Sequence, residues 1–554
     1  MNYKRGALSA SAYFLKKDEL LTVNLYYVDR LGDMLKTSLG PTGRSKILLD
    51  KETGEYVLSK DGADILKEVR TLHPAVRIIA DAGLATKNES GDGSITASIL
   101  GIELFKKAVK LIREGLHPSI IIEGYNEALR VALETIKNEV KPADCIDADV
   151  IFSFSRTYLT TKLDLNSSTH LSDIVTKLLI KRLPDITNYK TRILDTIIIK
   201  GRRGGSIEDS LLINGVLLHK SGVDLLMPKK IDNAMIAIVE NDLGFKRPDS
   251  SVNFIFNKTS DVKKFYTTRW EIFYEILNKF LEVGANVVLC SGNISEELRR
   301  LFVQKKILAI RNVSANDLSI IKSATNALPV SNVKYLTAAH LGVCSVVKEI
   351  IVSALDRWTV FEGCANPNYN SILIRGVTEK IMEATSNAAR NLIKTIILAI
   401  NGAGLVPGGG GIEMRVADKL RSIAYKYGSK TQIAILSYAD AVEEVVATLC
   451  NNCGIDAVST IMKLRSAHRA GEMAGIDQFT RRIINPYEYK IFDAAHVKIQ
   501  CFKSATEAAA SLIRIDFGYF KERVKEQRKD VIPEPVKQVR AATESYIKSL
   551  KYKK

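Results

Sequence analysis

The residues of this 554-residue chain best suited to chemistry lie in four turns rich in glycine or aspartate. They are Leu39-Gly40-Pro41-Thr42-Gly43, Lys60-Asp61-Gly62, Gly91-Asp92-Gly93-Ser94 and Pro407-Gly408-Gly409-Gly410-Gly411, the last followed by Glu413. Glycine lets backbone N–H groups come close to an anion, and a helix start adds partial positive charge there. Gly91-Asp92-Gly93-Ser94 opens an amphipathic run, so it suits a phosphate. Asp92 could hold Mg²⁺ against that phosphate, because Mg²⁺ prefers a few carboxylates together with phosphate oxygens. Taken singly, each turn is better explained as a loop or a helix cap. Neither GxxxxGK[ST] nor GxGxxG occurs, so the common nucleotide-binding folds are unsupported.

The elements that must position these turns follow from apolar spacing. Over 94–113, Ile95, Ile99, Ile102, Phe105, Val109 and Ile112 repeat at helical spacing, with Lys106, Lys107 and Lys110 opposite. Gly115 and Pro118 end that run, and a second helix is expected over 119–138. The middle of the chain differs. Short β-branched runs at 234–240, 286–290 and 307–311 are separated by helix-like stretches at 265–283 and 295–303, which predicts a parallel α/β layer. The polar stretch 241–264 is too long for a tight connection and reads as a functional excursion. From 401 onward the pattern is helical again, clearest at 438–451 and 457–468. An α-rich start, an α/β centre and an α-rich end fit one base domain interrupted by an insertion.

Composition narrows the function classes. Hydrophobic residues make up 46% and charged residues 25%, an ordinary globular balance, and two to four domains are expected for this length. No apolar run approaches the roughly 18 residues of a membrane span, and the first 15 residues do not read as a signal peptide. The internal string Lys16-Lys17-Asp18-Glu19-Leu20 is coincidental, since retention signals are read at a C-terminus. The seven cysteines are scattered, as expected of reduced cytosolic thiols. Cys450 and Cys453 form the one close pair, but no second pair of ligands accompanies them as a zinc site would need. The net charge of +17 is spread along the chain apart from a cluster at 521–554. Without an aromatic-interleaved basic stripe it argues against a nucleic-acid interface.

The four turns together, in this order, resemble those of the group II chaperonins, the thermosome and TRiC/CCT family, and the resemblance spans nearly the whole chain. Thr37-Ser38-Leu39-Gly40-Pro41-Thr42-Gly43 looks like the family's first nucleotide loop, and Lys60-Asp61-Gly62-Ala63 like its next acidic turn. Gly91-Asp92-Gly93-Ser94 resembles the signature Gly-Asp-Gly-Thr-Thr, and Val406-Pro407-Gly408-Gly409-Gly410 with Glu413 the late glycine loop. Gly204-Gly205-Ser206-Ile207-Glu208-Asp209-Ser210, Phe361-Glu362-Gly363-Cys364 and Leu449-Cys450-Asn451-Asn452 look most like the family's eta branch. Phe502-Lys503-Ser504-Ala505-Thr506-Glu507 resembles the alpha branch, and identity is partial throughout, as in a divergent member.

The resemblance implies an α+β multidomain fold. A helical equatorial ATPase domain would take 1–143 and 403–554, the latter ending in the basic tail. An intermediate domain would take 144–212 and 368–402, and an α/β apical domain 213–367, with a helical lid protrusion near 241–264. It also implies ATP and Mg²⁺ as cofactors. Leu39, Gly40, Pro41, Gly62, Gly91, Gly93, Ser94, Ile95, Gly409 and Gly410 would surround the nucleotide, with Gly475 near the base and Asp493 on the ribose. Asp92 would bind the metal, Asp61 would help polarise the attacking water, and Lys162 would sense the γ-phosphate. Two departures stand out. Ile95 replaces a family threonine, and Asn391, counted from Arg375-Gly376, falls where the family has the aspartate that orients the hydrolytic water. An amide can hydrogen-bond that water but cannot take its proton.

The implied function is ATP-gated enclosure and folding of client proteins, actin- and tubulin-like in the family, by a cytoplasmic double ring of eight different subunits. A helix is expected over 295–306, whose apolar residues Leu298, Leu301, Phe302 and Val303 could face that chamber as a client-binding surface, or could be core, where four apolar positions more often point. Two other readings remain: a scaffold subunit that binds ATP without hydrolysis, and a small-molecule kinase-like enzyme.

Overall fold

The computed structural model describes residues 12–49, 54, 56–69, 73–141, 147–188, 193–244, 259–353, 356–428 and 430–521. The chain divides into two compact units, residues 1–24 with 515–554, and residues 25–514. In the smaller unit Ala12–Lys16 pairs antiparallel with Phe517–Lys521, from Ala12↔Lys521 to Lys16↔Phe517. The basic cluster beyond Lys521 lies outside the described residues.

In the larger unit, residues from the two ends of the chain build one helical layer. Helices Pro74–Ser90, Ser94–Arg113 and Pro118–Asn138 pack with Gly411–Ala424, Lys430–Cys453 and Ala495–Arg514. Ser94–Arg113 lies directly on Ala495–Arg514. Its apolar stripe is buried as the spacing predicts, with Ile99, Ile102 and Phe105 fully covered. The next helix starts one residue earlier than expected because Pro118 occupies its first turn, where a missing N–H costs nothing. Two buried tyrosines fix the layer. Tyr125 donates to the Leu104 carbonyl (2.9 Å), and Tyr438 bonds to Thr506 (2.8 Å). Their rings meet edge to face at 5.4 Å.

Beside this layer stands a three-stranded sheet. Asn370–Gly376 is central, parallel to Ile197–Arg203 and antiparallel to Leu211–Ile213. Helices Ala148–Thr160, Leu165–Asn188 and Glu379–Leu398 cover it, and their shared core continues through Ala97, Val497 and Cys501 of the helical layer and Phe492 of the short strand beside it.

The central α/β part carries a six-stranded sheet. Its order is Gly215–Leu218, Asp356–Cys364, Gly342–Ser353, Lys230–Val239, Val287–Cys290, Leu308–Ile310. The last three strands are parallel, as the repeat of β-branched runs and helices predicts. Val287–Cys290 is buried throughout, which is why it reads as an unbroken apolar run. The other half of the sheet is antiparallel, built on the Gly342–Ser353 and Asp356–Cys364 hairpin. The fold is thus α+β and multidomain, with a mixed sheet where sequence spacing indicated only its parallel half. The excursion expected at 241–264 falls mostly outside the described residues, which resume with helix Thr259–Val283.

Candidate functional site

Three of the four chemistry-bearing turns, and the glycines before Gly411, converge on one cavity of about 440 Å³. Leu39, Gly40, Pro41, Asp61, Gly62, Asp92, Gly93, Ser94, Ile95, Lys162, Gly409, Gly410 and Asp493 line it. That size lies in the range of small-ligand and cofactor pockets. Gly91, Gly475 and Asn391 stand behind the lining. Gly475 packs so closely on the Gly408 carbonyl that a Cβ would come within 2.9 Å of its oxygen.

Two helices begin at the cavity with glycine caps. Gly93, at φ 90°, precedes Ser94–Arg113, and Gly410 precedes Gly411–Ala424; neither makes a side-chain cap hydrogen bond. The Gly411 N–H is used within its own loop, donating to the Gly408 carbonyl (3.0 Å), but no side chain caps either helix, so both starts can face an anion with their dipoles in favour. The glycine at 93 is required twice over. Its φ disfavours any L side chain, and a Cβ would lie 2.5 Å from the Cys501 sulfur. Ile95 packs under Gly62, where a Cβ would come 2.2 Å from its Cγ1. The residue that departs from the family threonine therefore fills space beneath the acidic turn.

Charge is concentrated in two clusters. At one side Asp61 caps helix Gly62–Glu68 by accepting from Ala63 N (2.9 Å). Its carboxylate also meets Lys87 Nζ (2.6 Å) and Lys162 Nζ (3.6 Å). Burial alone would raise the Asp61 pKa, but Lys162, Lys87 and the Ala63 N–H outweigh it and hold the pKa at about 2. Lys162 also lies 3.4 Å from Asp92 and donates to the Tyr158 hydroxyl at 2.7 Å. Burial opposes its charge, yet Asp92, Tyr158 and Asp61 together push its pKa up. Nearby Lys60 donates to the Pro41 carbonyl (2.6 Å), and burial lowers its pKa to about 8. At the other side Lys498 bridges Glu413 (2.6 Å) and Asp493 (2.8 Å). Asp493 is set there by strand Phe492–Ala494, paired with Leu405–Pro407 ahead of the glycine loop.

Sequence reasoning did not single out Lys87, Tyr158 or Lys498 as site residues. In a chain with 79 lysines and arginines, a lysine that pairs with a site carboxylate carries no compositional signal. Asn391 lies on helix Glu379–Leu398, one turn before Thr395, which does line the cavity. Thr395 Oγ1 lies 2.9 Å from the Asn391 carbonyl and 3.2 Å from that of Ser90, so this helix is anchored at the Gly91 turn.

Among the described residues no group of three or more His, Cys, Asp or Glu side chains could hold a metal by itself. Asp92, partly exposed at the cavity, fits the single-carboxylate role for Mg²⁺ completed by phosphate oxygens. Cys450 and Cys453 are buried free thiols.

The client-facing expectation for Leu298, Leu301 and Phe302 is corrected. All three belong to the core of the α/β part, at 0%, 4% and 0% exposure. Helix Glu296–Gln304 turns Glu296, Arg300 and Gln304 outward instead. Its apolar stripe packs Phe302 edge to face on Phe280 (5.7 Å), which is the core alternative of the same spacing.

The model of the TCP-1/cpn60 chaperonin family matches residues 31–517. The thermosome subunit beta of Sulfolobus acidocaldarius is 34% identical over 501 residues, 90% of each chain. A thermosome subunit of Methanocaldococcus jannaschii is 32% identical over 501 residues, 90% of this chain and 92% of that one. The thermosome subunit alpha of Archaeoglobus fulgidus is 32% identical over 496 residues, 89% of this chain and 90% of that one.

Proposed function

This chain belongs to the TCP-1/cpn60 chaperonin family, and on that premise we propose that it is one subunit of a double-ring chaperonin that binds Mg²⁺-ATP in the cavity just described and uses it to enclose and fold client proteins. The observation that carries the reading is the convergence on one cavity of two glycine-capped helix starts, Asp92 and Lys162. Helix N-termini and a lysine bind phosphates, and one carboxylate beside them suits Mg²⁺.

In this reading Asp92 holds Mg²⁺, which neutralises phosphate charge. The N–H groups after Gly93 and after Gly411 cradle the phosphates, and Asp493, braced by Lys498, meets the ribose. Asp61 orients the attacking water and Lys162 meets the γ-phosphate. The three parts of the larger unit then act as base, hinge and client-binding domain, with the boundaries implied by the family. The support is that strand Asn370–Gly376 lies beside Ile197–Arg203 and Leu211–Ile213, so that chain leaving for the α/β part and chain returning from it meet in one small sheet. A ring of eight different subunits, a cytoplasmic setting, actin- and tubulin-like clients and an eta-like position are the finer form of this proposal.

Asn391 favours slow turnover, and in the limit a subunit that binds ATP as a scaffold. General-base assistance contributes about 10²–10⁴-fold in rate, and Asp61 retains part of it. The test is calorimetric titration of the full chain with Mg²⁺-ATP, alongside electron micrographs of the native particle. Asp92→Ala should weaken Mg²⁺-dependent binding while leaving thermal unfolding in place, because Gly93, not Asp92, caps the helix. Unchanged affinity removes Asp92 from the site, and particles without double rings overturn the assembly.

A further inference from the structure

Tyr158 sits in the last turn of helix Ala148–Thr160, buried, four residues before Lys162. Its hydroxyl accepts from Lys162 Nζ at 2.7 Å and donates to the Gly91 carbonyl at 3.3 Å. The same ammonium lies 3.9 Å from the centroid of its ring. Asp92 and Asp61 are farther from that nitrogen, at 3.4 and 3.6 Å, whereas Lys87 approaches Asp61 to 2.6 Å. The shortest contact of Lys162 at the site is thus the phenol and not either carboxylate. Burial raises the Tyr158 pKa, so the phenol keeps the proton that it gives to Gly91. A tyrosine needed for packing alone would be served by phenylalanine. Here both hydrogen-bonding capacities of the hydroxyl are used, one on a lysine of the site and one on the turn that carries Asp92.

We propose that Tyr158 is a positioning residue, whose hydroxyl fixes the Lys162 ammonium between Asp61 and Asp92 and ties it to the Gly91 turn, so that the lysine meets a γ-phosphate without first being ordered. The inference rests on the nucleotide site proposed above. It makes Tyr158 a determinant of the preference for ATP over ADP, since ADP presents no γ-phosphate to Lys162.

The experiment titrates the full chain separately with Mg²⁺-ATP and Mg²⁺-ADP. Tyr158→Phe keeps the ring and removes the hydroxyl. It should lower ATP affinity about tenfold, the scale of one hydrogen bond to a charged group, and leave ADP affinity unchanged. In a Lys162→Ala background the same change should not alter the ATP-to-ADP ratio further, because the two residues act through one contact. If Tyr158→Phe does not fold, Tyr158→His, whose ring nitrogen can restore one of the two bonds, should give a smaller loss of the ratio. Equal weakening of both nucleotides, no change in the ratio, or a full effect persisting without Lys162 would each overturn the proposal. Failure of the wild-type chain to bind either nucleotide would remove the site itself, a result distinct from these three.

Discussion

Asp61 is the residue whose environment makes the sharpest claim. Burial favours its neutral form, yet two lysines and a backbone N–H hold its pKa at about 2, below the ordinary 3.8. A carboxylate lowered in the folded state adds stability that is complete above its unfolded pKa and is lost as pH falls through the folded one. The shift corresponds to about 2–3 kcal/mol. Asp61→Asn should therefore lower stability by about that amount at neutral pH, and the gap to wild type should narrow below about pH 4 as the wild-type carboxyl protonates. Denaturant unfolding at a series of pH values would show it, and a gap constant down to pH 2.5 would contradict the ion pairs. Asn391 yields the complementary test. In the ring of different subunits proposed above, Asn391→Asp should raise hydrolysis attributable to this subunit, measured in rings whose other subunits are hydrolysis-deficient. An unaltered rate would make Asn391 an ordinary polar residue of its helix. Glycines and aspartates in tight turns were legible in the sequence because few other residues tolerate such backbone. Their partners Lys87, Tyr158 and Lys498 were not, since each gains its meaning from a residue distant in the sequence or from a helix face that only packing defines.

At the scale of elements, periodicity located helices well and their neighbours poorly. Ser94–Arg113 was readable because its apolar stripe and lysine face are both long. The antiparallel hairpin Gly342–Ser353 with Asp356–Cys364 was not, because its strands mix buried and exposed positions without strict alternation. Helix Glu296–Gln304 shows what periodicity leaves open. Its stripe identifies a helix with an apolar face but does not say whether that face meets core or client. With Leu298 and Phe302 at 0% exposure, Leu298→Ala should destabilise the α/β part by about 2–5 kcal/mol. Client crosslinking per folded subunit should be unchanged. Denaturant unfolding checks the first expectation, and crosslinking of a trapped unfolded client the second. Loss of capture at full stability would return the helix to the chamber wall.

At the scale of the whole molecule, the α/β part leaves and re-enters the chain on adjacent strands, with Gly215 opposite Glu362. A segment from 214 to 366 should therefore fold alone with its mixed sheet, as judged by circular dichroism and cooperative unfolding. Trp358, which shares a small core with Ile213 and Leu373, should lose part of its cover in that fragment and emit at longer wavelength than in the full chain. A fragment without cooperative unfolding would show that the three-stranded sheet is needed to hold the insertion together. The helical layer has the opposite character, because Ser94–Arg113 finds its partner Ala495–Arg514 only near the far end of the chain. A ribosome adding about 5–20 residues per second needs roughly 20–80 s to travel from one helix to the other. For that interval the face of Ser94–Arg113 that Ala495–Arg514 will cover lacks that partner on the nascent chain. A member of a family of protein-folding machines thus spends part of its own synthesis as an unfinished protein.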